Sequence, residues 1–246
     1  MVWPSPSMSS PEILHFGDSA QLVGAVAQHW LAVIQDDVAR AGAHRVALPG
    51  GRVAARFMSA AAVSAAEAGL SWEAVEFYWG DERCVPPDHV DSNYRLAAEA
   101  LLNPAGIVAS KRHRLRGELP PQEAARAASK ELRETLPASP DGIPMLDLVF
   151  LGMGEDGHVA SLFPCATEEV LRSREPVLDV IGPKPPPQRL TMSFPVLAAA
   201  RQVWVLASGV GKEDALRRSL APGLQTPLGR LLSLRPHTRI FTDIVI

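Results

Sequence analysis

The sequence predicts an α/β fold in which an open, mostly parallel, twisted sheet carries helices on both faces. Short apolar segments alternate with longer segments whose apolar residues recur at helical spacing, the pattern of strands joined by crossover helices. Glycine-rich turns follow several of the apolar segments. Leu146 to Leu151 is an apolar run with the length of a strand buried on both faces. At 246 residues, with 47% hydrophobic and 21% charged residues, the chain can bury a core of this kind.

Met1 to Pro11 is rich in Pro and Ser, lacks a basic start and leads into no apolar signal core. It is expected to be a loose tail before a single domain at 12–246. Leu22, Val23, Val26, Trp30, Val33, Ile34 and Val38 then predict a long helix from Ser19 to Ala41, with Asp18 or Ser19 as its N-cap. Arg45 to Leu48 reads as a strand that breaks into Pro49-Gly50-Gly51, and the alanine-rich stretch Val53 to Ala68 as the helix that follows. The alternation continues with a strand at Val75 to Trp79, a helix at Ser92 to Leu102 capped by Ser92, and a helix at Gln122 to Leu136. Beyond the strand at Leu146 to Leu151 comes a Pro-rich connection, Gly182 to Pro187, too short for a domain boundary. Extended segments at Arg189 to Ser193 and Gln202 to Ala207, a helix at Lys212 to Leu220 and a strand at Thr238 to Ile246 complete the chain. Ligands of such sheets bind beyond the carboxyl ends of the strands, so function is expected in the loops that follow them.

Composition narrows the partners. A net charge of -3 and a pI near 6.2 offer no general attraction to a polyanion, so nucleic acid is not expected; the basic stretch Lys111 to Arg116 reads as a solvated loop face. Cys84 and Cys165 alone cannot form a disulfide framework or a multi-cysteine zinc site, which fits a reducing, cytoplasmic location. The apolar runs fall well short of the ~18 residues of a membrane span, and a soluble protein is expected.

Three loops after expected strands concentrate glycine and functional side chains: Pro49-Gly50-Gly51-Arg52, Gly80-Asp81-Glu82-Arg83 and Gly152-Met153-Gly154-Glu155-Asp156-Gly157-His158. Gly50 and Gly51 can bring backbone N–H groups to an anion at a helix start, although such a pair is as often only a tight turn; Arg52 adds a cation. Gly152, Gly154 and Gly157 fit G-x-G-x-x-G, but Glu155 and Asp156 would repel a pyrophosphate and Pro164 follows too soon for a long helix, so a dinucleotide site is rejected. His158 can act as a general base because an imidazole of ordinary pKa, about 6.5, accepts a proton at neutral pH. Asp156 would orient that ring or cap the loop backbone, and Arg83 would bind an anion or pair with Asp81 or Glu82. Arg189 and Lys212 are further candidate anion ligands. With no G-x-S-x-G elbow, H-E-x-x-H or paired-cysteine motif, water activated by histidine fits better than an acyl-enzyme or a metal, and no cofactor is implied.

Together these segments resemble the 6-phosphogluconolactonase family. Gly152 to Pro164 reads GMGEDGHVASLFP, similar to its signature GMGEDGHxASLFP, and Trp79-Gly80-Asp81-Glu82-Arg83-Cys84-Val85-Pro86 with Asp91-Ser92-Asn93-Tyr94 matches a second family segment. The resemblance runs from the first helix to the last strand. It implies an open α/β fold related to that of glucosamine-6-phosphate deaminase, and hydrolysis of 6-phosphoglucono-δ-lactone in the oxidative pentose phosphate pathway. It also implies a small phosphorylated sugar lactone as the partner, His158 as base, Arg83 as a substrate-binding residue, and a phosphate cradle of Gly50 and Gly51 with Arg189 and Lys212 nearby. A monomer or weak homo-oligomer is expected. One departure stands out: where the family's glycine loop usually reads SGGST, Pro49 and Arg52 replace the hydroxyl residues, and Arg52 is expected to substitute with a charge-assisted bond. The deaminases differ where this chain has Arg83 and Ala160-Ser161-Leu162-Phe163-Pro164, usually reading Asp-Glu-Tyr and AFNEP. A catalytically silent sugar-phosphate sensor would need an output element that the sequence does not show.

Overall fold

A computed structural model describes residues 11–223, 226–235 and 237–246; of the expected tail, Met1 to Ser10 lie outside the described residues. The chain runs β1 (Glu12–His15), α1 (Ser19–Ala41), β2 (His44–Leu48), α2 (Arg52–Ala68), β3 (Val75–Trp79), β4 (Asp81–Arg83) and α3 (Asn93–Ala97). It continues through α4 (Pro121–Thr135), β5 (Leu148–Gly152), α5 (Glu168–Arg172), β6 (Val177–Ile181), β7 (Gln188–Met192) and α6 (Phe194–Ala199), and ends with β8 (Gln202–Ala207), α7 (Glu213–Leu220), α8 (Pro227–Leu234) and β9 (Arg239–Thr242).

Six strands form a wholly parallel sheet in the order β1-β9-β8-β5-β2-β3. The chain steps from β2 out to β3, then returns to the other side of β2 with β5 and moves through β8 to β9. Strand order therefore reverses between β2 and β5, and the loops leaving these two strands diverge to open a crevice at their carboxyl ends. A smaller antiparallel sheet, β4-β7-β6, stands beside that crevice.

Local chemistry explains the elements that match expectation. Asp18 caps α1 by accepting from Ala20 N at 2.8 Å and Gln21 N at 2.9 Å, and Gly42 ends it in the left-handed region at φ 72°. Trp30 of α1 and Phe57 of α2 pack edge-on and tilted against Phe150 of β5, at centroid distances of 5.2 and 4.6 Å, and Trp204 of β8 joins them at 5.5 Å. Within this core Trp30 Nε1 donates to His44 Nε2 at 3.0 Å, which leaves the ring proton on Nδ1 to be donated to Asp37 at 2.7 Å.

Other elements depart from the sequence reading. The extended segment expected at Arg189 to Ser193 forms a strand at Gln188–Met192 that lies outside the large sheet, antiparallel between β4 and β6. The helix expected at Ser92 to Leu102 changes after Ala97 to one π-helical turn, Ala98–Leu102, which buries both Leu101 and Leu102. The strand at Leu146 begins two residues later, because buried Asp147 turns away to accept from Arg45 N at 2.9 Å and to pair with Arg201 at 3.2 Å. The final strand ends at Thr242 rather than Ile246. No helix among the described residues is long and apolar enough to cross a membrane.

The stretch Lys111 to Arg116 is tied down rather than loosely solvated. His113 directs Nδ1 at Glu131 (2.8 Å) and Nε2 at Glu76 (2.9 Å), Lys111 also reaches Glu76 at 2.7 Å, and the imidazole stacks on Tyr78 at 4.4 Å. The Glu131 bond, followed by Glu76, raises the His113 pKa against the opposing effect of burial. A histidine raised on folding stabilises fully below its unfolded value and loses that contribution as pH rises through the folded one. His113→Gln is therefore expected to lower stability by roughly 0.5–1 kcal/mol near pH 6 and by less near pH 9, measured by urea unfolding at the two pH values.

Candidate active site

The crevice is built from three backbone departures and the small sheet beside them. After β2, Gly51 takes φ 99° and α2 starts at Arg52 with no side-chain N-cap and no acidic residue in its first turn. The first-turn N–H groups are thus left for a ligand, and the helix dipole favours an anion there. Gly50 has a separate constraint: a Cβ on it would fall 2.1 Å from Asn93 Oδ1.

In β4 two acidic residues are buried and neither pairs with Arg83. Glu82 Oε1 accepts from Arg83 N and Asn93 N, both at 2.7 Å, while Oε2 accepts from Tyr94 N at 2.8 Å and Ser92 Oγ at 3.0 Å. Burial pushes the Glu82 carboxyl up, and these donors pull it back only in part. Asp81 accepts from Ser161 Oγ at 2.7 Å and Asn93 Nδ2 at 3.2 Å. The salt bridge from Arg83 to Asp81 or Glu82 that the sequence left open is therefore not formed. Arg83 donates through Nη1 to Asp91 O at 2.9 Å, and its buried Nε has no partner.

Directly across the β4–β7 ladder from Arg83 stands Arg189. It donates to Pro186 O at 3.1 Å and Lys184 O at 3.3 Å and lies 5.7 Å over the Phe163 ring; burial, then Arg83, pushes its pKa down. Like charges directly opposite in a sheet are destabilising, so this pair is held against its own repulsion. Lys212, the N-cap of α7, is likewise pushed down first by burial, with Arg52 adding to the effect and Glu155 opposing it.

The loop after β5 curls back on itself. Gly154 N donates to His158 O and Gly157 N to Gly154 O, both at 3.0 Å, with Gly157 at φ 80°. A Cβ on Gly154 would fall 2.1 Å from the His158 ring, so only glycine lets the imidazole fold over the loop. Asp156 Oδ1 meets His158 Nδ1 at 2.6 Å and accepts from His158 N at 3.1 Å, performing both of the roles the sequence left open. Burial would raise the Asp156 pKa, but the backbone N–H, charge and ring of His158 outweigh it and hold the carboxyl below the ordinary range. The loop leads into a turn rather than a long helix.

Gly50, Gly51, Arg52, Arg83, His158, Arg189 and Lys212 all line one cleft; Asp156 stands behind His158. None of the four cations in it forms an ion pair among the described residues. Its unpaired cations select an anionic ligand.

Residues 17–239 match the family model described as glucosamine-6-phosphate isomerases/6-phosphogluconolactonase. The chain belongs to this family. Among its relatives, the human 6-phosphogluconolactonase is 39% identical, the alignment covering 97% of this chain and 90% of that protein. The 6-phosphogluconolactonase of Mycobacterium tuberculosis is 35% identical over 86% of each chain. The solved structure of the Trypanosoma brucei 6-phosphogluconolactonase superposes with a TM-score of 0.83 at 26% identity, over 95% of this chain and 96% of that one. A monomeric glucosamine-6-phosphate deaminase shares the fold at a TM-score of 0.80 and 16% identity, over 94% of this chain and 96% of that one.

In this family member, the cleft's cations and its histidine are legible in the sequence, whereas the polar residues that tie their loops together are not. Asp81 entered only as a partner for Arg83, while Asn93 and Ser161 were quoted only within motifs. Their one sequence signal is small polar residues inside segments that fold to burial, and their partners are as far apart as Asp81 and Ser161, separated by 80 positions. Among the described residues no group of three or more His, Cys, Asp or Glu is placed to hold a metal ion. Glu82→Gln would set an amide N–H₂ against donors and is expected to cost roughly 2–4 kcal/mol, read from urea unfolding followed by tryptophan fluorescence.

Proposed function

We propose that this chain hydrolyses 6-phosphoglucono-δ-lactone to 6-phosphogluconate, the second step of the oxidative pentose phosphate pathway. The observation that carries the reading is the His158–Asp156 pair, 2.6 Å apart, in a cleft whose other walls present four unpaired cations, in a family that contains 6-phosphogluconolactonases. Residues 12–246 act as one catalytic domain, as a monomer or weak homo-oligomer in the cytoplasm, and no cofactor enters the reaction.

The substrate's phosphate lies against the Gly50–Gly51 turn and the open start of α2, where Arg189 and Lys212 supply charge. Arg52 takes the place of the usual hydroxyl contact. Anchoring at the phosphate brings the lactone carbonyl to His158. With Nδ1 engaged by Asp156, Nε2 accepts a proton from water, and the resulting hydroxide attacks the carbonyl carbon. Collapse of the tetrahedral intermediate breaks the bond to the ring oxygen, which takes the proton back from Nε2, leaving an open-chain carboxylic acid that ionises. Arg83 binds the substrate near the reacting end.

Three expectations test the reading with freshly made lactone, a chelator present and the spontaneous rate subtracted. Wild type accelerates hydrolysis strongly, and His158→Ala loses roughly 10²–10⁴-fold in kcat while remaining folded by circular dichroism. No acceleration by wild type would sink the assignment. Arg52→Ser is expected to raise KM roughly tenfold with little change in kcat, the loss of one charge-assisted bond to the anchored phosphate; an unchanged KM would remove Arg52 from the cradle.

A further inference from the structure

We propose that Asn93 Oδ1 accepts a hydrogen bond from the C4 hydroxyl of the lactone and so makes the site selective for phosphorylated lactones that carry this hydroxyl. The proposal rests on the lactonase reading above, with phosphate at the Gly50–Gly51 turn and the carbonyl at His158, and adds to it a residue that reads the sugar between them.

Asn93 begins α3 and is 2% exposed. Its N–H donates to buried Glu82 at 2.7 Å, which fixes the backbone. Its Nδ2 donates to Asp81 O at 2.9 Å and Asp81 Oδ1 at 3.2 Å, which fixes the side chain, and Asp81 is itself held by Ser161 Oγ at 2.7 Å. Because Nδ2 faces a backbone carbonyl and a carboxylate, the amide has one orientation, and Oδ1 is the end left over. That oxygen accepts from no donor among the described residues, and solvent reaches it although the residue is almost wholly buried. Asn93 lines the cleft together with Gly50, Arg52 and His158, and Oδ1 is the atom that a Cβ on Gly50 would meet at 2.1 Å. A carbonyl so poorly hydrated is unfavourable unless a donor meets it.

The chemistry of the lactone identifies that donor. A carbonyl oxygen repels the oxygens of a phosphate dianion and of the ring, neither of which carries a hydrogen, so it pairs with a hydroxyl. The lactone has hydroxyls on C2, C3 and C4. C2 adjoins the carbonyl carbon at His158, whereas C4 is the hydroxyl-bearing carbon nearest to C6 and its phosphate. Oδ1 touches Gly50, in the turn that takes the phosphate, and the C4 hydroxyl is therefore the one that meets it. Cations recognise a phosphate on any sugar; a fixed acceptor distinguishes the sugar that carries it.

The test uses the freshly made δ-lactones of 6-phosphogluconate and of its 3-deoxy and 4-deoxy analogues, each rate divided by its own spontaneous rate. Wild type is expected to lose roughly 10–100-fold in kcat/KM on the 4-deoxy lactone, the effect of leaving a buried acceptor unmet. Asn93→Ala removes that discrimination, bringing the parent and 4-deoxy lactones within about twofold of each other, whereas its preference between the parent and 3-deoxy lactones stays that of wild type. A merely structural role for Asn93 would slow all three lactones by the same factor, and that result overturns the proposal, as does wild type that hydrolyses the 4-deoxy lactone at full efficiency. Should Asn93→Ala fail to fold, wild type decides it by NMR: the carbon resonance of the Asn93 side-chain carbonyl moves downfield on binding 6-phosphogluconate and stays in place on binding the 4-deoxy product, and the same response to both overturns the proposal. Wild type that accelerates none of the three lactones overturns the lactonase reading itself; active wild type without discrimination at C4 removes only Asn93.

Discussion

The buried carboxylate of Glu82 holds the site together. It receives four hydrogen bonds, three from backbone N–H groups and one from Ser92, and so joins β4 to the start of α3. Desolvating a carboxylate is expensive, and only a full set of donors makes the position tolerable. Because Glu82 is fixed, Asp81 and Arg83 on either side of it are fixed too. Asn93 follows, since its N–H is one of the donors; its side chain then fills the space beside Gly50 and decides that no side chain can stand there. Asp81 carries the constraint across to Ser161 and hence to the loop bearing His158.

Much of the frame was readable because its signals are local. The strand at Val75–Trp79 and the helix at Ser19–Ala41 match expectation residue for residue: one is a compact apolar run, and the other has apolar periodicity with an aspartate at its start and a glycine at its end. The elements that were not readable depend on distant partners. No propensity marks Asp81-Glu82-Arg83 as a strand; it becomes one through β7, over a hundred positions later in the chain. Glu12–His15 is a strand only because β9 offers it an edge. In the site, the glycines, cations and His158 announced themselves by type and by position after strands, whereas Asn93 and Ser161 matter through hydrogen bonds that sequence spacing does not encode.

Electrostatically the cleft departs from the rest of the molecule. Elsewhere arginines meet carboxylates, as in Arg114–Glu118, Arg201–Asp147 and Arg239–Glu12. In the cleft, Arg83 and Arg189 oppose each other, Arg52 stands at the unfavourable end of a helix dipole beside Lys212, and the acidic side chains face neutral donors instead. Local rules are broken together in one place, as expected where a ligand rather than a neighbour completes the interactions.

The pairing at the outer edge of the large sheet joins the chain's first strand to its last. β1 has β9 as its sole neighbour, so the sheet cannot acquire its sixth strand until Arg239–Thr242 has been made and laid beside β8. During synthesis Glu12–His15 must wait, unpaired, for a segment more than two hundred residues away, while the phosphate-facing and histidine loops have already emerged. Closure of that edge is therefore the long-range, late step of assembly, and a chain cut short before β9 would forfeit two strands for the loss of one.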